Sequence, residues 1–331
     1  MAVNPDKSSA VDVIIPTYNG LPYLKEAMDS ILDQTYKNFT VYIVDDGSTD
    51  KDATKKYVDN LTDSRVRYMR KSNGGQATAR NYGFGKSSSK YVSFIDSDDI
   101  WLPDKLRKQV AYLDKHPDMG MVYGYHYVID WREKVVGRVK HNAEGHLYNY
   151  LMSGNKISGS ASMVMVRRSV LDDVGLFHED FLIGEDWEMW LRVARKYQIG
   201  CVHEYLAKLR ALPGGMQSNY VKMASGLEFM LPVLLKEFRP GPINRAKLYG
   251  ACLWDAANYY YMAGDYDHAQ KAFRRLLLHN PSKLKLNREY WYMYTRLGMR
   301  SAIIRQMRRR LSRNYRQREI EYFKDQDKPD E

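Results

Sequence analysis

The chain has 331 residues, 44% hydrophobic and 13% aromatic, enough for one large α/β domain and a smaller one and too apolar for a disordered polypeptide. Its formal net charge of +11 points to an anionic partner: a nucleotide, a nucleic acid or a membrane surface. Cys201 and Cys252 match no metal spacing or disulfide framework, the N-terminus carries no apolar signal core, and no stretch reaches the roughly 20 apolar residues of a spanning helix, so a cytoplasmic protein, at most peripheral at the inner face of a membrane, is expected.

In chain order, Val11–Ile15 is a β-branched strand that Pro16 ends. The polar turn Thr17-Tyr18-Asn19-Gly20 follows. Leu24, Ala27, Met28, Ile31 and Leu32 then recur at helical spacing, which predicts an amphipathic helix over 23–34. A second strand, Phe39–Val44, runs into Asp45-Asp46-Gly47-Ser48-Thr49-Asp50, where one of the two leading aspartates is expected to cap the next helix. Val66–Met69 is a third strand. Strand and helix alternating at this interval predict right-handed βαβ units and a parallel sheet. Neither the G-x-G-x-x-G fingerprint nor a P-loop follows the first strand, which removes the usual NAD and ATP readings. The strand ends instead carry Thr-Tyr-Asn, then Asp-Asp, along one edge of the sheet. Acids there can accept from a base N–H or ribose hydroxyls, and a tyrosine offers a stacking face. Gly74-Gly75 opens a helix with outward backbone N–H groups. Arg80, flanked by Ala77, Thr78, Ala79 and Gly83, lies where it can approach a phosphate or a base.

The fourth strand, Val92-Ser-Phe-Ile, ends in Asp96, Asp98 and Asp99. Carboxylates this close repel one another. A divalent cation holding a phosphate would relieve them; an acidic turn with Asp99 or Asp104 as helix N-cap is the alternative. Trp101-Leu-Pro leads into a helix to about His116, a tyrosine-rich strand over Met121–Ile129, and a hairpin or loop over Trp131–Lys140. Trp101 and Trp131 suit packing better than the floor of a sugar site. Gly159–Val166 reads as a small-residue turn into a strand. Glu185-Asp186 opens a helix, a position that stabilises carboxylates.

Val-Ile-Ile-Pro-Thr-Tyr-Asn, Val-Asp-Asp-Gly-Ser-Thr-Asp, Ala-Arg-Asn-Tyr-Gly and Phe-Ile-Asp-Ser-Asp-Asp-Ile-Trp-Leu-Pro, in this order, resemble a family 2 glycosyltransferase from about Val11 to about Gln217. The resemblance implies a GT-A fold: an α/β, Rossmann-like, mostly parallel sheet flanked by helices. It implies that Pro16, Thr17, Tyr18 and Asn19 line a nucleotide pocket, that Asp46 accepts from uracil N3–H, and that Arg80 supports the base or the diphosphate. Asp96-Ser97-Asp98 matches the family's D-x-D element. Asp98 would reach a bound Mn²⁺ or Mg²⁺, and Asp96 or Asp99 the ribose or the metal's waters, with Asp99 the second candidate ligand. Glu185-Asp186 resembles the family's E-D motif, which makes Asp186, or else Glu185, the general base of an inverting displacement. The implied donor is a UDP-sugar and the implied acceptor a saccharide, lipid-linked or of a cell-surface polymer; no nucleic acid is expected. Family members carry Arg then His on a closing loop. Here Arg210 is present and the His is absent, while Gly214-Gly215 still allows a lid.

The expected organisation is a catalytic domain over 1–217, a helical linker over 218–245, a helical basic region over 246–320 and a disordered tail over 321–331. Tyr260, Gly264, Ala269, Phe273 and Pro281 fall at tetratricopeptide spacing, and Tyr294 and Gly298 repeat the first two after 34 residues. Residues 285–318 hold eleven Lys or Arg and one acid, so Arg300–Arg318 is a candidate membrane-surface helix. Two rivals exist. A sugar-phosphate nucleotidyltransferase would need a Gly-rich basic loop that Pro16-Thr-Tyr-Asn-Gly does not supply. A non-catalytic scaffold acting through the helical C-terminal part would tolerate loss of Asp98 and Asp186.

Overall fold

The computed structural model describes residues 10–157, 160–215 and 218–280. It divides into two compact units at Arg210/Ala211.

The first unit begins with strand β1 (Val11–Thr17), every residue of which is buried. Helix α1 (Leu21–Leu32) presents Leu24, Ala27, Met28 and Ile31 to the core. Strand β2 (Phe39–Asp45), the short helix α2 (Ala53–Asp59), strand β3 (Val66–Arg70), helix α3 (Gln76–Phe84) and strand β4 (Tyr91–Phe94) complete a Rossmann-like half. Its strands lie in the order β3-β2-β1-β4, all parallel. The order reverses between β1 and β4, and the crevice at such a reversal is where open α/β sheets take ligands.

Pro16 does not end the first strand; it pairs with Val44 inside β1. Ala10 and Ile14 both turn their carbonyls to β4, so even-numbered positions face that side. Pro16 therefore points its missing N–H where the pairing with β4, which stops at Phe94, has already ended.

The second half is mixed. Strand β5 (Ile100–Trp101), helix α4 (Lys105–Lys115), the long strand β6 (Met119–Ile129) and strand β7 (Val135–Val139) come next. The hairpin between β6 and β7 turns on Asp130, whose carboxylate accepts from the N–H groups of Arg132 and Lys134, both at 3.0 Å. Helix α5 (Tyr148–Leu151), a 3₁₀ turn at Ala161–Met163, strand β8 (Met165–Arg167), helices α6 (Arg168–Val174) and α7 (Glu185–Lys196) and strand β9 (Gln198–Arg210) finish the unit. The sheet continues β4-β8-β6-β9-β5, with β8 antiparallel to both β4 and β6. Trp101 and Trp190 are among the largest fully buried side chains, which gives Trp101 the packing role.

The second unit contains helices α8 (Tyr220–Phe238), α9 (Pro242–Ala263) and α10 (Tyr266–His279). Helix α9 packs against both α8 and α10, so 218–245 is part of a helical stack rather than a linker. Gly264 ends α9 at φ 88°, and Ala269 and Phe273 of α10 are buried. Tyr260, Gly264, Ala269 and Phe273, the residues at tetratricopeptide spacing, thus lie on a helix–turn–helix of α9 and α10. The second repeat at Tyr294 and Gly298, the candidate membrane segment Arg300–Arg318 and the predicted tail lie outside the described residues.

Candidate active site

The carboxyl ends of β1, β2 and β4 bring the predicted donor residues to one edge. Asp46 N–H donates to Thr17 carbonyl (2.9 Å), which sets the first two strand ends side by side. Asn19, at φ 52°, ties the two loops together. Its N–H donates to Ser48 Oγ (2.9 Å), and its Oδ1 accepts from Thr49 N–H (2.8 Å). Tyr18 is 50% exposed and keeps a ring face available, whereas the buried Thr17 Oγ1 has no protein partner among the described residues. Pro16 is held within the strand.

Asp45 and Asp46 are both buried, and neither caps α2. Asp45 Oδ1 accepts from Ser48 N–H (2.7 Å) and its Oδ2 from Tyr68 Oη (2.6 Å). The cap falls to Asp50, whose carboxylate accepts from Thr54 N–H at 2.9 Å. Asp46 is the anion at the N-terminus of α3. Its oxygens accept from Gly74 N–H, Gly75 N–H and Lys71 Nζ, at distances from 2.7 to 3.1 Å. The glycine N–H groups expected to face a ligand are thus spent on Asp46. Gly75 lies at φ 91°, a conformation that favours glycine.

The turn after β4 gathers Asp96, Asp98 and Asp99. Burial and the neighbouring Asp96 push Asp98 up to about 6. Burial, then Asp98 and Asp96, hold Asp99 well above the ordinary carboxylate range. Asp99, expected beside Asp98 as a metal ligand, already accepts one hydrogen bond on each oxygen, from Ser162 Oγ (2.5 Å) and from Arg210 N–H (3.0 Å). Asp98 is half-buried; its carboxylate is held by its own backbone N–H and lies near the Arg210 guanidinium. Hard oxygen donors, crowded and reluctant to ionise, suit a divalent cation in the company of phosphate oxygens. Among the described residues no closed cluster of metal-ligating side chains exists, so such an ion would rely on the substrate for part of its shell.

Arg80 is placed differently from the expectation of a base or diphosphate contact. It is fully buried, and its two terminal nitrogens reach carboxylates from different elements: Nη1 to Glu185 Oε1 at 2.7 Å and Nη2 to Asp96 Oδ1 at 2.5 Å. Burial opposes its charge, but the two acids outweigh that and keep it ionised. Glu185 also accepts from Gln76 Nε2 at 2.6 Å. Of the E-D pair, Glu185 is therefore bound up, and Asp186 is the freer. Asp186 accepts from Asn155 Nδ2 (3.0 Å) and Trp187 N–H (2.7 Å), and burial together with Glu185 pushes it up to about 7. That is the range a general base needs near neutral pH.

Arg210 does not sit on a lid. It ends β9 with a buried guanidinium that donates to Asp98 carbonyl (3.0 Å) and pairs with Glu26. Several supporting residues escaped the sequence. Ser160 Oγ donates to Asp96 Oδ2 (2.7 Å), and Ser162 serves Asp99. Their i, i+2 hydroxyls before a strand were the available signal, as was the i, i+4 spacing of Gln76 and Arg80. Lys71 and Asn155 have no such pattern.

Residues 12–175 match the family model described as Glycosyl transferase family 2. The N-terminal unit belongs to glycosyltransferase family 2. The transferase is similar to an uncharacterized glycosyltransferase of Rickettsia conorii, 32% identical over 215 residues, which make up 65% of this chain and 35% of that protein. The chain thus spans about a third of the length of that curated relative. It is also 28% identical over 215 residues to the UDP-Glc:alpha-D-GlcNAc-diphosphoundecaprenol beta-1,3-glucosyltransferase WfgD of Escherichia coli, covering 64% of this chain and 81% of WfgD. Among solved structures, S. aureus TarS 1–349 in complex with UDP-GlcNAc matches with a TM-score of 0.59 at 18% identity, over 80% of this chain and 81% of that one. The Pyrobaculum calidifontis mannosyltransferase PcManGT, in complex with GDP-Man and Mn2+, matches with a TM-score of 0.55 at 21% identity, over 90% and 86%. These likenesses establish the GT-A fold for the transferase.

Proposed function

We propose that this family 2 glycosyltransferase moves a hexosyl or N-acetylhexosaminyl group from a UDP-sugar to a saccharide hydroxyl, with inversion and with a divalent metal. The observation that carries the reading is the arrangement around Arg80. A carboxylate with its pKa raised towards neutrality, Asp186, adjoins Glu185, which one guanidinium ties to Asp96 of the donor turn. Asp186 takes the proton of the acceptor hydroxyl as that oxygen bonds to the anomeric carbon from the face opposite the phosphate. The anomeric C–O bond breaks, and its electrons leave on the nucleoside diphosphate. Asp98, with Asp99 fixed beside it by Ser162 and Arg210, would hold Mn²⁺ or Mg²⁺, which supplies charge neutralisation for the diphosphate. Asp96 addresses the ribose, and Tyr18 and Asp46 the base. A uridine donor is supported by Asp46 in the place of the uracil acceptor and by the UDP-sugars named for TarS and WfgD. WfgD's name also supports a diphosphate-lipid-linked acceptor.

Calorimetry of UDP, GDP and dTDP with and without Mn²⁺, on wild type and Asp98→Ala, tests the donor half. UDP binding that needs Mn²⁺ and weakens about 100-fold or more in Asp98→Ala is expected, a loss of about 2.7 kcal/mol. Preference for GDP would move the donor and keep the enzyme. Absence of nucleotide binding in every condition would bring the scaffold reading forward.

A further inference from the structure

Helix α3 does more than close the nucleotide cleft. Gln76 and Arg80 are four residues apart and so share one face of the helix. Both donate to the same oxygen, Glu185 Oε1, at 2.6 and 2.7 Å. Arg80 alone also reaches back to Asp96 Oδ1. Its guanidinium lies 5.1 Å from the Phe177 ring, and its Nε is buried without a partner among the described residues. Arginine–carboxylate pairs are frequently bidentate, with both ends of the fork on one carboxylate. Here the fork is split between the turn after β4 and the start of α7: Asp96 is 16 residues and Glu185 105 residues from Arg80 in sequence. Buried ion pairs seldom stabilise a fold better than apolar packing of the same volume. What the split fork does supply is a fixed distance between the donor turn and the start of α7.

We propose that Arg80 is a positioning residue that, with Gln76, locks Glu185 to Asp96 and thereby sets the acceptor-side base Asp186 in register with the donor carboxylates. The proposal rests on the reading of Asp186 as the base. The charged and polar groups facing Asp186 are Glu185 and Trp187 N–H on its own helix, Arg80 from α3, Asp96 from the end of β4 and Asn155 from the segment after α5. Arg80 favours the ionised base, and Glu185 opposes it. Mutating the two should therefore move the base in opposite directions.

The test is steady-state kinetics of the full chain with Mn²⁺, nucleotide sugar and acceptor, as a function of pH. Arg80→Gln should lower kcat about 100-fold while leaving the donor KM within about twofold, as expected for a misplaced catalytic group. Its acidic pH limb should shift upward, because a cation beside the base is gone. Glu185→Gln should shift the limb downward, because an anion is gone. Arg80→Lys, which keeps the charge but reaches one carboxylate, should restore the limb without restoring kcat. Gln76→Leu removes one hydrogen bond to Glu185 and leaves no buried charge, so it serves if Arg80→Gln does not fold; a lower kcat at unchanged donor KM is expected. Limbs that stay put, or move the same way in Arg80→Gln and Glu185→Gln, would overturn the proposal, as would a donor KM raised tenfold by Arg80→Gln. Wild-type turnover in Asp186→Asn would instead overturn the base assignment beneath it.

Discussion

Asp186 works under a constraint that its own fold imposes. Burial and Glu185 raise its pKa to about 7, so the folded protein holds a proton on it that the unfolded chain releases near its ordinary value. The native state then binds more protons between about pH 4 and 7, and stability falls as pH rises through that window. Asp186→Asn removes the cost. The variant should be more stable than wild type at pH 8 by about 1–3 kcal/mol, after discounting for its partial exposure, with the difference closing towards pH 4; denaturant unfolding at both pH values measures this. An unchanged difference between the two would show that ionisation is not what the fold resists. Lys105 has the opposite sign. It is fully buried, burial holds it well below the usual lysine range, and its Nζ bonds are to the neutral Gln109 Oε1 (2.7 Å) and Ser93 Oγ (3.1 Å). Gln109 in turn donates to Met163 carbonyl (2.8 Å), and Trp101 Nε1 to Ser162 carbonyl (2.9 Å). This buried polar cluster fixes the segment whose serines hold Asp96 and Asp99.

At the scale of elements, α3 is the part that joins the site. Its N-terminal glycine N–H groups hold Asp46, and its Gln76–Arg80 face holds Glu185 and Asp96. It can lie that close to the sheet because residue 83 is glycine. A Cβ there would meet Ile14 Cγ2 at 2.7 Å and Val44 Cγ2 at 3.0 Å, side chains of β1 and β2. Gly83→Ala should lower stability by about 1–3 kcal/mol in thermal or denaturant unfolding and cost turnover as α3 is pushed outward. Gly85→Ala, which meets only backbone at 3.6 Å, should be close to neutral and serves as the control. Much of this was legible in the sequence. The strands, the helix spacing and the acids at strand ends came from periodicity and punctuation, and the structure has Asp46 just past the end of β2, Asp96 and Asp98 just past the end of β4, and Asp186 in the first turn of α7. Pairing between distant residues was not legible. Arg80 looked available to a phosphate because nothing local shows that Glu185 will meet it, and one of Asp45 and Asp46 looked like a helix cap because nothing local shows Tyr68 arriving from β3 or the Gly75 N–H from the start of α3. Arg210 looked like a lid residue until β9 proved long enough to carry it into the core.

For the whole molecule, the first compact unit ends at Arg210, and the helices α8, α9 and α10 follow in the second. No helix of the described residues is long and apolar enough to cross a membrane. In the proposed function, Asp98 serves donor binding and Asp186 serves the proton. The most direct test is release of nucleoside diphosphate from sugars of the nucleotide identified by calorimetry, with a diphosphate-linked saccharide acceptor, for wild type, Asp98→Ala and Asp186→Asn, alongside donor affinity for each. The account predicts that Asp98→Ala loses affinity and turnover together, whereas Asp186→Asn binds the donor as wild type does and turns over about 10²–10⁴-fold more slowly. Wild-type turnover in Asp186→Asn, or undiminished donor binding in Asp98→Ala, would contradict it.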